Sequence, residues 1–580
     1  MSEFEVKDGM RVFFDYPIEM DDGIKLRADI FCPLSDEKFP VIMTYGPYGK
    51  WLSFQDAYKP QWDAMVTRFP EILSGSSNKY QNWEVVDPEK WVKDDYVCIR
   101  IDSRGAGRSP GYLDPFSKRE TKDFYDCIQW ASNQSWSNGK IGLNGISYYA
   151  INQWQVAALQ PPNLRAMCVW EGAYDLYREM GYHGGIFCSY AGNWYKGRCI
   201  PRQHGLGING YKAKIKEDYV SGPSTMTNEE LQSNRTDMYE DLISNKLITD
   251  DYWQDRIPDH TKIKIPILSS ANWGGQALHS RGNFEGFNKV ASKEKWLEVH
   301  GLEHWTEFYT DYGIELQKRF FGYYLKDEQN GWQNQPKVSI QVRYPNDEFK
   351  LRNENEWPLK NTSWTKFYLS PDELSLEKES KEVNSKLSYN NLGDGITFMT
   401  ESFLEDTEIT GPIASKLFIS SETEDTDLFL IARLFNEQQQ EVTFQGALDP
   451  KTPLAQGWLR ASHRKIDNHL SKPYRPYHTH DKVELLIPKK VYEVDIEIWP
   501  TSIVVPKGYR IGLTIKGQDY VNQSGGGSTL PNMNKFSGCG PFLHDDPIDR
   551  PNDIFGKKTT LHFSRDQKPY LLLPIIKNQN

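Results

Sequence analysis

A serine in a glycine-flanked stretch is the first candidate for chemistry in this chain of 580 residues. The stretch GISYYA (145–150) places Ser147 directly behind the short apolar run 140–144, and a helix is predicted over 151–159. A strand, a sharp turn and a helix in this order form a nucleophile elbow, which exposes a serine hydroxyl at the edge of a sheet. We therefore expect Ser147 to be a nucleophile.

The second candidate is a histidine that can act as the base. A serine hydroxyl becomes nucleophilic only when a base takes its proton, and histidine titrates in the range suited to that task. His304 follows the last strand predicted for the sheet, within HGLEHW (300–305). His300 is the nearby competitor, but it falls within the strand end. We expect His304 to be the general base.

Acyl transfer also needs donors for the oxyanion. The N–H of Tyr148, the residue after the nucleophile, is one expected donor. Tyr48 lies in TYGPYGK (44–50), after an early strand at the same sheet edge, where its phenol could supply a second hydrogen bond. The alternative for Tyr48 is a loop tyrosine that only packs.

The elements that must position these residues follow an alternating pattern. Apolar strands are predicted at 41–45, 96–101, around Leu143, and at 166–170, 265–269 and 296–299. Helices between them indicate a mostly parallel sheet covered on both faces, in the element order of an α/β-hydrolase core. We predict a core over 1–175 and 262–332, a helical cap insertion over 176–261, and an all-β jelly-roll sandwich over 333–580. Runs that support the last domain are 338–342, 428–431, 494–498 and 511–515, with a loop at 525–528.

Composition narrows the class of protein. An apolar content of 38% and 13% aromatic residues fit a folded globular chain, and a net charge of −11 argues against nucleic acid or an anionic membrane as partner. We find no membrane span, no signal peptide, and no cofactor or metal motif. The seven cysteines form no Cys-x-x-Cys pair. We expect a cytoplasmic protein, acting on a small-molecule ester or amide, with homo-oligomerisation left open.

Three longer motifs carry a resemblance to a known family. They are PYGK (47–50), DSRGAGRSPG (102–111) and QSWSNGKIG (134–142). With the elbow, they make the chain similar to the CocE/NonD-type hydrolases, the group of X-Pro dipeptidyl-peptidases, cocaine esterases and α-amino-acid ester hydrolases. The resemblance implies that Ser147 forms an acyl-enzyme, that His304 is its base, and that the Tyr48 hydroxyl and the Tyr148 amide form the oxyanion hole.

Two departures from the family pattern concern the elbow and the triad acid. Ala150 stands where the family usually has glycine. The family carries Gly-Trp-(Tyr or Phe)-Asp after the strand that begins near Ile265, but this chain has ANWGG (271–275). Because the histidine still needs an orienting group, three candidates remain open. Glu171 ends the strand after the elbow, Asn272 could orient the ring without charge, and Asp175 is close in sequence.

Aromatic and polar residues near the expected sheet edge are candidates for substrate contacts. The aromatic candidates for the acyl pocket are Trp170, Tyr174, Trp194, Tyr195 and Trp273. Glu179, His183 and the pair Asp251 and Tyr252 could meet a substrate amine, although their spacing singles none of them out.

The sequence favours a serine hydrolase, and an esterase first. An X-Pro dipeptidyl-peptidase or acyl-amino-acid hydrolase is the enzymatic alternative, which would be distinguished by a requirement for a free amine. A catalytically silent binding protein is the alternative from another class, since no carboxylate occupies the usual triad position. A carbohydrate-binding role for the β domain also remains open.

Overall fold

The computed structural model describes residues 4–523 and 536–577, so the loop predicted at 525–528 lies outside the described residues. Two large sheets organise the chain, one of 11 strands and one of 12. The strands up to residue 354 are β1 Glu5–Lys7, β2 Met10–Glu19, β3 Lys25–Cys32, β4 Phe39–Gly46, β5 Val97–Asp102, β6 Ser137–Ile146, β7 Leu164–Trp170, β8 Tyr182–His183, β9 Ile186–Phe187, β10 Ile267–Asn272, β11 Lys295–His300, β12 Val338–Tyr344 and β13 Glu348–Glu354.

Helices connect these strands and cover both faces of the first sheet. They are α1 Phe54–Ala57, α2 Lys59–Arg68, α3 Pro88–Val92, α4 Lys118–Ser132, α5 Tyr148–Ala158, α6 Tyr190–Trp194, α7 Asn228–Ser233, α8 Met238–Ser244, α9 Asp251–Gln254, α10 Ser280–Lys289, α11 Thr306–Tyr309 and α12 Asp311–Leu325; a further helix, α13 Asn552–Phe555, lies in the part of the chain that forms the second sheet. Along β4, Val41 and Met43 pack with α4 and α5, whereas Ile42 joins the cluster that contains α3 and α12. The strand period of two therefore sends successive side chains into opposite layers.

The first sheet has the order β1-β2-β3-β5-β4-β6-β7-β10-β11-β12-β13. Seven consecutive strands of this order run parallel to one another: β5, β4, β6, β7, β10, β11 and β12. Antiparallel strands complete both edges of the sheet. Buried parallel strands are continuously apolar, which is the pattern that made them predictable from sequence. Their carboxyl ends, where β6, β7, β10 and β11 stop, share one edge.

One strand prediction is wrong. The run 338–342 was expected in the all-β part, but as β12 it pairs in parallel with β11, and β13 then adds to it in antiparallel fashion. The connection from β11 through α12 to β12 is a strand-helix-strand crossover, which returns the chain to the same sheet. A short β-branched run fits either sheet, so its pattern alone did not distinguish them.

The second sheet is all β and closes on itself. Its strands are β14 Thr362–Ser370, β15 Ser375–Glu377, β16 Ser385–Asn390, β17 Ile396–Thr400, β18 Thr407–Ser421, β19 Asp427–Phe435, β20 Glu441–Val442, β21 Ala455–Arg460, β22 Tyr492–Val505, β23 Arg510–Lys516, β24 Lys558–Phe563 and β25 Tyr570–Ile576. Strand β18 pairs with β22 and β24 and also with β25, the last strand of the order, and this additional pairing closes the sheet. The fold is thus an α/β core followed by an all-β barrel.

Between β7 and β10 the chain leaves the first sheet. Residues 176–261, called the inserted segment below, contain the hairpin β8–β9 and the short helices α6 to α9. Helices α7 and α8 lie within the segment for which a helical insertion was predicted. None of the helices in the described residues has the length and apolarity that a membrane crossing requires.

Candidate active site

Ser147 occupies the strained turn expected of a nucleophile elbow. Its backbone has φ 58° and ψ −115°, between the end of β6 and the first residue of α5. Its N–H donates to the carbonyl of Trp170 at 3.1 Å, which ties the turn to the end of β7. A non-glycine residue with positive φ is costly, and such strain is concentrated at functional sites.

Glycines allow the elbow to pack this closely. Gly145 has φ 157°, and a Cβ there would lie 2.5 Å from the Cβ of Tyr149. The departure from the family pattern at Ala150 is accommodated from outside, because Gly172 lies against it. A Cβ on Gly172 would be 2.9 Å from the Cβ of Ala150. The family's glycine within α5 is thus replaced by Ala150, and Gly172, which packs against α5, leaves room for the added methyl group.

Glu171 lies where β7 ends, fully buried and with φ 50°. One carboxylate oxygen, Oε2, is 2.9 Å from Nδ1 of His304, and the other, Oε1, is 3.0 Å from Nε2 of His300. Asn272 also donates from Nδ2 to Oε1 at 3.3 Å. Of the three acid candidates, Glu171 is the one that contacts His304, and Asn272 supports Glu171.

Asp175 has a different environment. Its carboxylate pairs with Arg178 and accepts the N–H of Tyr177 at 3.0 Å, which stabilises the start of the inserted segment. The Arg178 guanidinium overcomes the effect of burial and lowers the pKa of Asp175. Within the described residues its hydrogen bonds and ion pairs do not reach His304.

Carboxylates and imidazoles alternate through the interior in the order Glu298, His300, Glu171, His304 and Glu84. Nδ1 of His300 is 2.8 Å from Glu298, and Nε2 of His304 is 3.0 Å from Oε1 of Glu84. Burial opposes the charged imidazolium, but the adjacent carboxylates outweigh it and raise the pKa of His304 to about 9 and that of His300 to about 10. Burial likewise opposes ionisation of Glu171, but the two imidazoles bring its pKa down to about 2.

The hydroxyl of Ser147 contacts a histidine that the sequence analysis did not single out. Its Oγ lies 3.3 Å from Nε2 of His279, and the ring of His279 stacks on that of His304 with centroids 4.7 Å apart. Both imidazoles and Ser147 line one cavity. In this structure His304 is therefore one ring away from the hydroxyl, with Glu84 on its Nε2.

His279 is less suited to accept a proton than His304. Burial, and then the proximity of His304, lower the pKa of His279 well below its usual value. Its Nδ1 has no hydrogen-bond partner in the part of the chain that the structure describes. A base that becomes cationic during the reaction needs an orienting carboxylate. Of the two histidines, His304 has one, because Glu171 contacts its Nδ1, and His279 has none among the described residues.

Tyr48 faces the same cavity and is available as a donor. Its hydroxyl oxygen accepts a hydrogen bond from Nε1 of Trp194 at 3.1 Å, so its own proton remains free to donate. Burial raises the pKa of Tyr48 well above its usual value, which keeps the phenol protonated. The N–H of Tyr148 belongs to the first turn of α5, where amides have no partner within the helix.

The cavity is small, with a volume of about 40 Å³, and many of its lining side chains are aromatic. Of the aromatic residues predicted to line the acyl pocket, Trp194 does so. The prediction is wrong for the others: Trp170 stacks on His300, Tyr174 on His260, Tyr195 donates to Thr236, and Trp273 donates to Gln341. The aromatic residues that do line the cavity with Trp194 are Tyr48, Tyr58, Trp83, Tyr190 and Phe542.

The polar residues considered for a substrate amine also lie elsewhere. Glu179 pairs with Arg281 at 2.7 Å, His183 contacts His544, and Tyr252 stacks under Arg256. None of them, nor Asp251, is among the residues that line the described cavity. The carboxylate that does line it is Glu84.

Comparison with known proteins places the chain in a family. The sequence model for X-Pro dipeptidyl-peptidase (S15 family) matches residues 22–306, and that for the X-Pro dipeptidyl-peptidase C-terminal non-catalytic domain matches residues 330–565. The crystal structure of a CocE/NonD family hydrolase from Staphylococcus aureus superimposes with a TM-score of 0.82 at 32% identity, covering 98% of this chain and 94% of that one. The chain belongs to the CocE/NonD family of hydrolases.

More distant relatives include named esterases and peptidases. The cocaine esterase of Rhodococcus sp. (strain MB1 Bresler) is 23% identical over 97% of this chain and 98% of its own length. The Xaa-Pro dipeptidyl-peptidase of Ligilactobacillus salivarius (strain UCC118) is 23% identical over 58% of this chain and 43% of its own length. This CocE/NonD hydrolase is therefore a member of a serine esterase and peptidase family, as the sequence analysis predicted.

Two site residues of this CocE/NonD hydrolase, Glu84 and His279, were missed by the sequence analysis. Glu84 precedes α3 in a loop with no motif, and it enters the site because its carbonyl accepts the N–H of Ile146 at 3.0 Å. His279 is the residue before α10 and follows the segment 271–275, which was considered only for the missing acid. Its position, a few residues after a strand that ends at the catalytic edge, was the available signal.

The contact between Glu84 and His304 leads to a prediction about how kcat/KM depends on pH. If neutral His304 is the reactive form, kcat/KM should rise with pH until it levels off near the pKa of about 9. Removing the charge of Glu84 destabilises the imidazolium, so Glu84→Gln should shift this rising limb to lower pH. The measurement is a pH profile of kcat/KM for both proteins on an uncharged ester. A limb that stays in place would show that Glu84 does not tune the base.

Proposed function

We propose that this protein is a serine esterase that hydrolyses small esters through an acyl-enzyme on Ser147. One observation supports this most strongly: an elbow serine and a buried Glu171–His304 pair, joined at 2.9 Å, meet at a single cavity. Nucleophile, base and orienting acid are the three parts that acyl transfer by a serine requires.

In the proposed reaction Ser147 Oγ attacks the ester carbonyl while Nε2 of His304 takes the hydroxyl proton. His304 then returns that proton to the leaving alcohol, and a water molecule repeats the sequence to release the acid. For the first step, Nε2 of His304 must exchange the carboxylate of Glu84 for the hydroxyl of Ser147. Glu171 remains on Nδ1 and stabilises the imidazolium that forms.

The oxyanion of the tetrahedral intermediate would be bound by the N–H of Tyr148 and the hydroxyl of Tyr48. Donors placed in advance in a water-poor cavity stabilise developing charge without reorganisation. The hydrogen bond from Trp194 orients the Tyr48 hydroxyl. The aromatic walls would accommodate an apolar acyl or alkoxy group.

We also propose that residues 176–261 act as a cap and that the barrel is a jelly roll. The inserted segment contributes Tyr190, Trp194 and Arg198 to the cavity wall. The barrel contributes Ala447, Leu448 and Phe542, and the carbonyl of Ala447 accepts the N–H of His304 at 3.0 Å. We propose a domain boundary at about 355 in place of 333, on the ground that β12 and β13 pair within the first sheet.

A second candidate activity is release of an amino-terminal dipeptide with a free α-amine, as in a dipeptidyl-peptidase. It is favoured by Oε2 of Glu84, which is buried at the cavity and has no hydrogen-bond partner among the described residues. A substrate ammonium would satisfy that oxygen. An Ala-Pro anilide cleaved faster than p-nitrophenyl acetate, with the N-acetylated anilide inert, would favour the peptidase.

The assignment of the base is tested by a pair of substitutions. We expect His304→Gln to lower kcat on p-nitrophenyl acetate by at least about 10³-fold, because proton transfer is lost. His279→Gln is the matched control, since it removes a buried imidazole of the same cavity and leaves Glu171–His304 intact. It should cost about tenfold or less, by disturbing the position of Ser147. The reverse order of effects would make His279 the base.

A further inference from the structure

Three potential metal ligands meet away from the catalytic cavity. His183 is in the hairpin β8–β9, Cys188 follows that hairpin, and His544 comes from the barrel part of the chain. One donor atom from each lies within 4.8 Å of the other two, and all three side chains are buried. Nδ1 of His183 is 2.8 Å from Nε2 of His544. We propose that this cluster binds a thiophilic first-row transition metal ion, such as Zn²⁺.

The outer nitrogens of both histidines have partners typical of metal ligands. Nδ1 of His544 donates to Oδ1 of Asp519 at 2.8 Å, and Nε2 of His183 donates to the carbonyl of Glu179 at 3.3 Å. Histidines that bind metals usually donate their second N–H to a carboxylate or a backbone carbonyl, which fixes the tautomer. Here both fixed tautomers direct the remaining nitrogen of each ring towards the same point.

The hydrogen count shows what a metal ion would replace. The two outer contacts each need an N–H, and the 2.8 Å contact between the rings needs a third hydrogen. A divalent ion would take the place of that shared proton and of the thiol proton of Cys188. Two protons leave and two positive charges enter, so that the exchange leaves the net charge of this buried site unchanged.

The donor set and its surroundings favour a metal of intermediate softness. Imidazole with thiolate suits Zn²⁺, Co²⁺ and copper better than Mg²⁺ or Ca²⁺. Ligand atoms around tetrahedral zinc are about 3.3–3.6 Å apart, so the donors must shift by roughly an ångström from their present spacing. The rings of Trp458 and Trp499 lie 4.9 and 5.6 Å from that of His183 and exclude water.

The ion would fasten the inserted segment to the barrel. Residues 183 and 544 are 361 positions apart, which explains why no spacing motif revealed the cluster. The hairpin is already pressed against the barrel: the N–H of Arg460 donates to the carbonyl of Gly184 at 2.9 Å. A Cβ on Gly184, where φ is 56°, would lie 2.0 Å from the carbonyl of Trp458. Binding at this site is independent of the acyl chemistry proposed above.

The test uses the full chain, purified, unfolded in chelator and refolded with one equivalent of Co²⁺ or Zn²⁺. We expect about one ion per chain after dialysis, and for Co²⁺ a thiolate-to-metal charge-transfer band in the near ultraviolet. Cys188→Ser should abolish that band, and Asp519→Asn should weaken Zn²⁺ binding by about 10- to 100-fold. Cys199→Ser and His260→Gln, which alter a buried thiol and a buried imidazole of the inserted segment, should bind as wild type does.

Wild-type protein that refolds without retaining either ion would overturn the proposal, and this result needs no variant to fold. A Co²⁺ complex that lacks the thiolate band, or one that Cys188→Ser leaves unchanged, would overturn it as well.

Discussion

Ser147→Ala eliminates the burst of p-nitrophenol and lowers kcat by at least about 10³-fold, because the variant has no atom on which an acyl group can form. The substitution should leave folding unaffected, since alanine adds no volume and the backbone bond from Ser147 to Trp170 remains. Stopped-flow absorbance at enzyme concentrations near that of the substrate measures the burst, and thermal unfolding monitors the fold.

The control is Ser103→Ala, a fully buried serine after β5 that does not line the cavity. It should keep the full burst amplitude. An undiminished burst in Ser147→Ala would show that another side chain is the nucleophile and would refute the assignment of Ser147.

Glu171→Gln has the second largest expected effect. The amide cannot stabilise the imidazolium of His304, and it leaves two buried imidazoles without the carboxylate they share. We expect kcat to fall by about 10⁴-fold, as when the orienting carboxylate of a serine-protease triad becomes an amide. Glu298→Gln is the matched control: it removes the other carboxylate on His300, does not touch His304, and should cost activity far less.

The same substitution makes a stability prediction with a defined pH window. The folded-state pKa of Glu171 lies near 2, below its ordinary 4.5, so its stabilising effect is complete above pH 4.5 and lost as the pH falls towards 2. The pKa of His304 is raised from 6.5 to about 9, so its contribution is complete below pH 6.5 and lost as the pH rises through 9. Wild type and Glu171→Gln should therefore differ most in the free energy of unfolding between about pH 4.5 and 6.5.

Breaking a buried ion pair typically costs about 3–5 kcal/mol. Urea unfolding of both proteins from about pH 2 to about pH 9 measures this difference and its decline on either side of the window. A difference that does not vary with pH would mean that Glu171 is not ionised against the two histidines.

Sequence patterns predicted the parts of the site that are formed by residues close together in the sequence. The apolar run before Ser147 and the helix behind it specify an elbow because strand, turn and helix are contiguous. The end of β7 placed Glu171 at the catalytic edge because parallel strands end together. The contact between Glu171 and His300 follows from the sheet register, which pairs Trp170 with Ser270 and Asn272 with His300.

Contacts between distant segments could not be predicted in this way. Glu84 reaches His304 from a loop 220 residues earlier, and its position depends on packing rather than on periodicity. The aromatic wall was mispredicted for the same reason: Trp273 is adjacent in sequence to Asn272, yet its ring packs against Phe284 and Trp357. Likewise β12 has the composition of a barrel strand, and its partner is decided by the α12 crossover.

The most direct test of the account is to identify the atom that becomes acylated. Wild-type protein would be mixed with p-nitrophenyl acetate, quenched in acid within the burst, digested and mapped by mass spectrometry. We expect one acetyl group per chain on the peptide that contains Ser147, and none when His304→Gln is treated for the same time. An acetyl group on any other residue, or hydrolysis at the wild-type rate without an adduct, would contradict it.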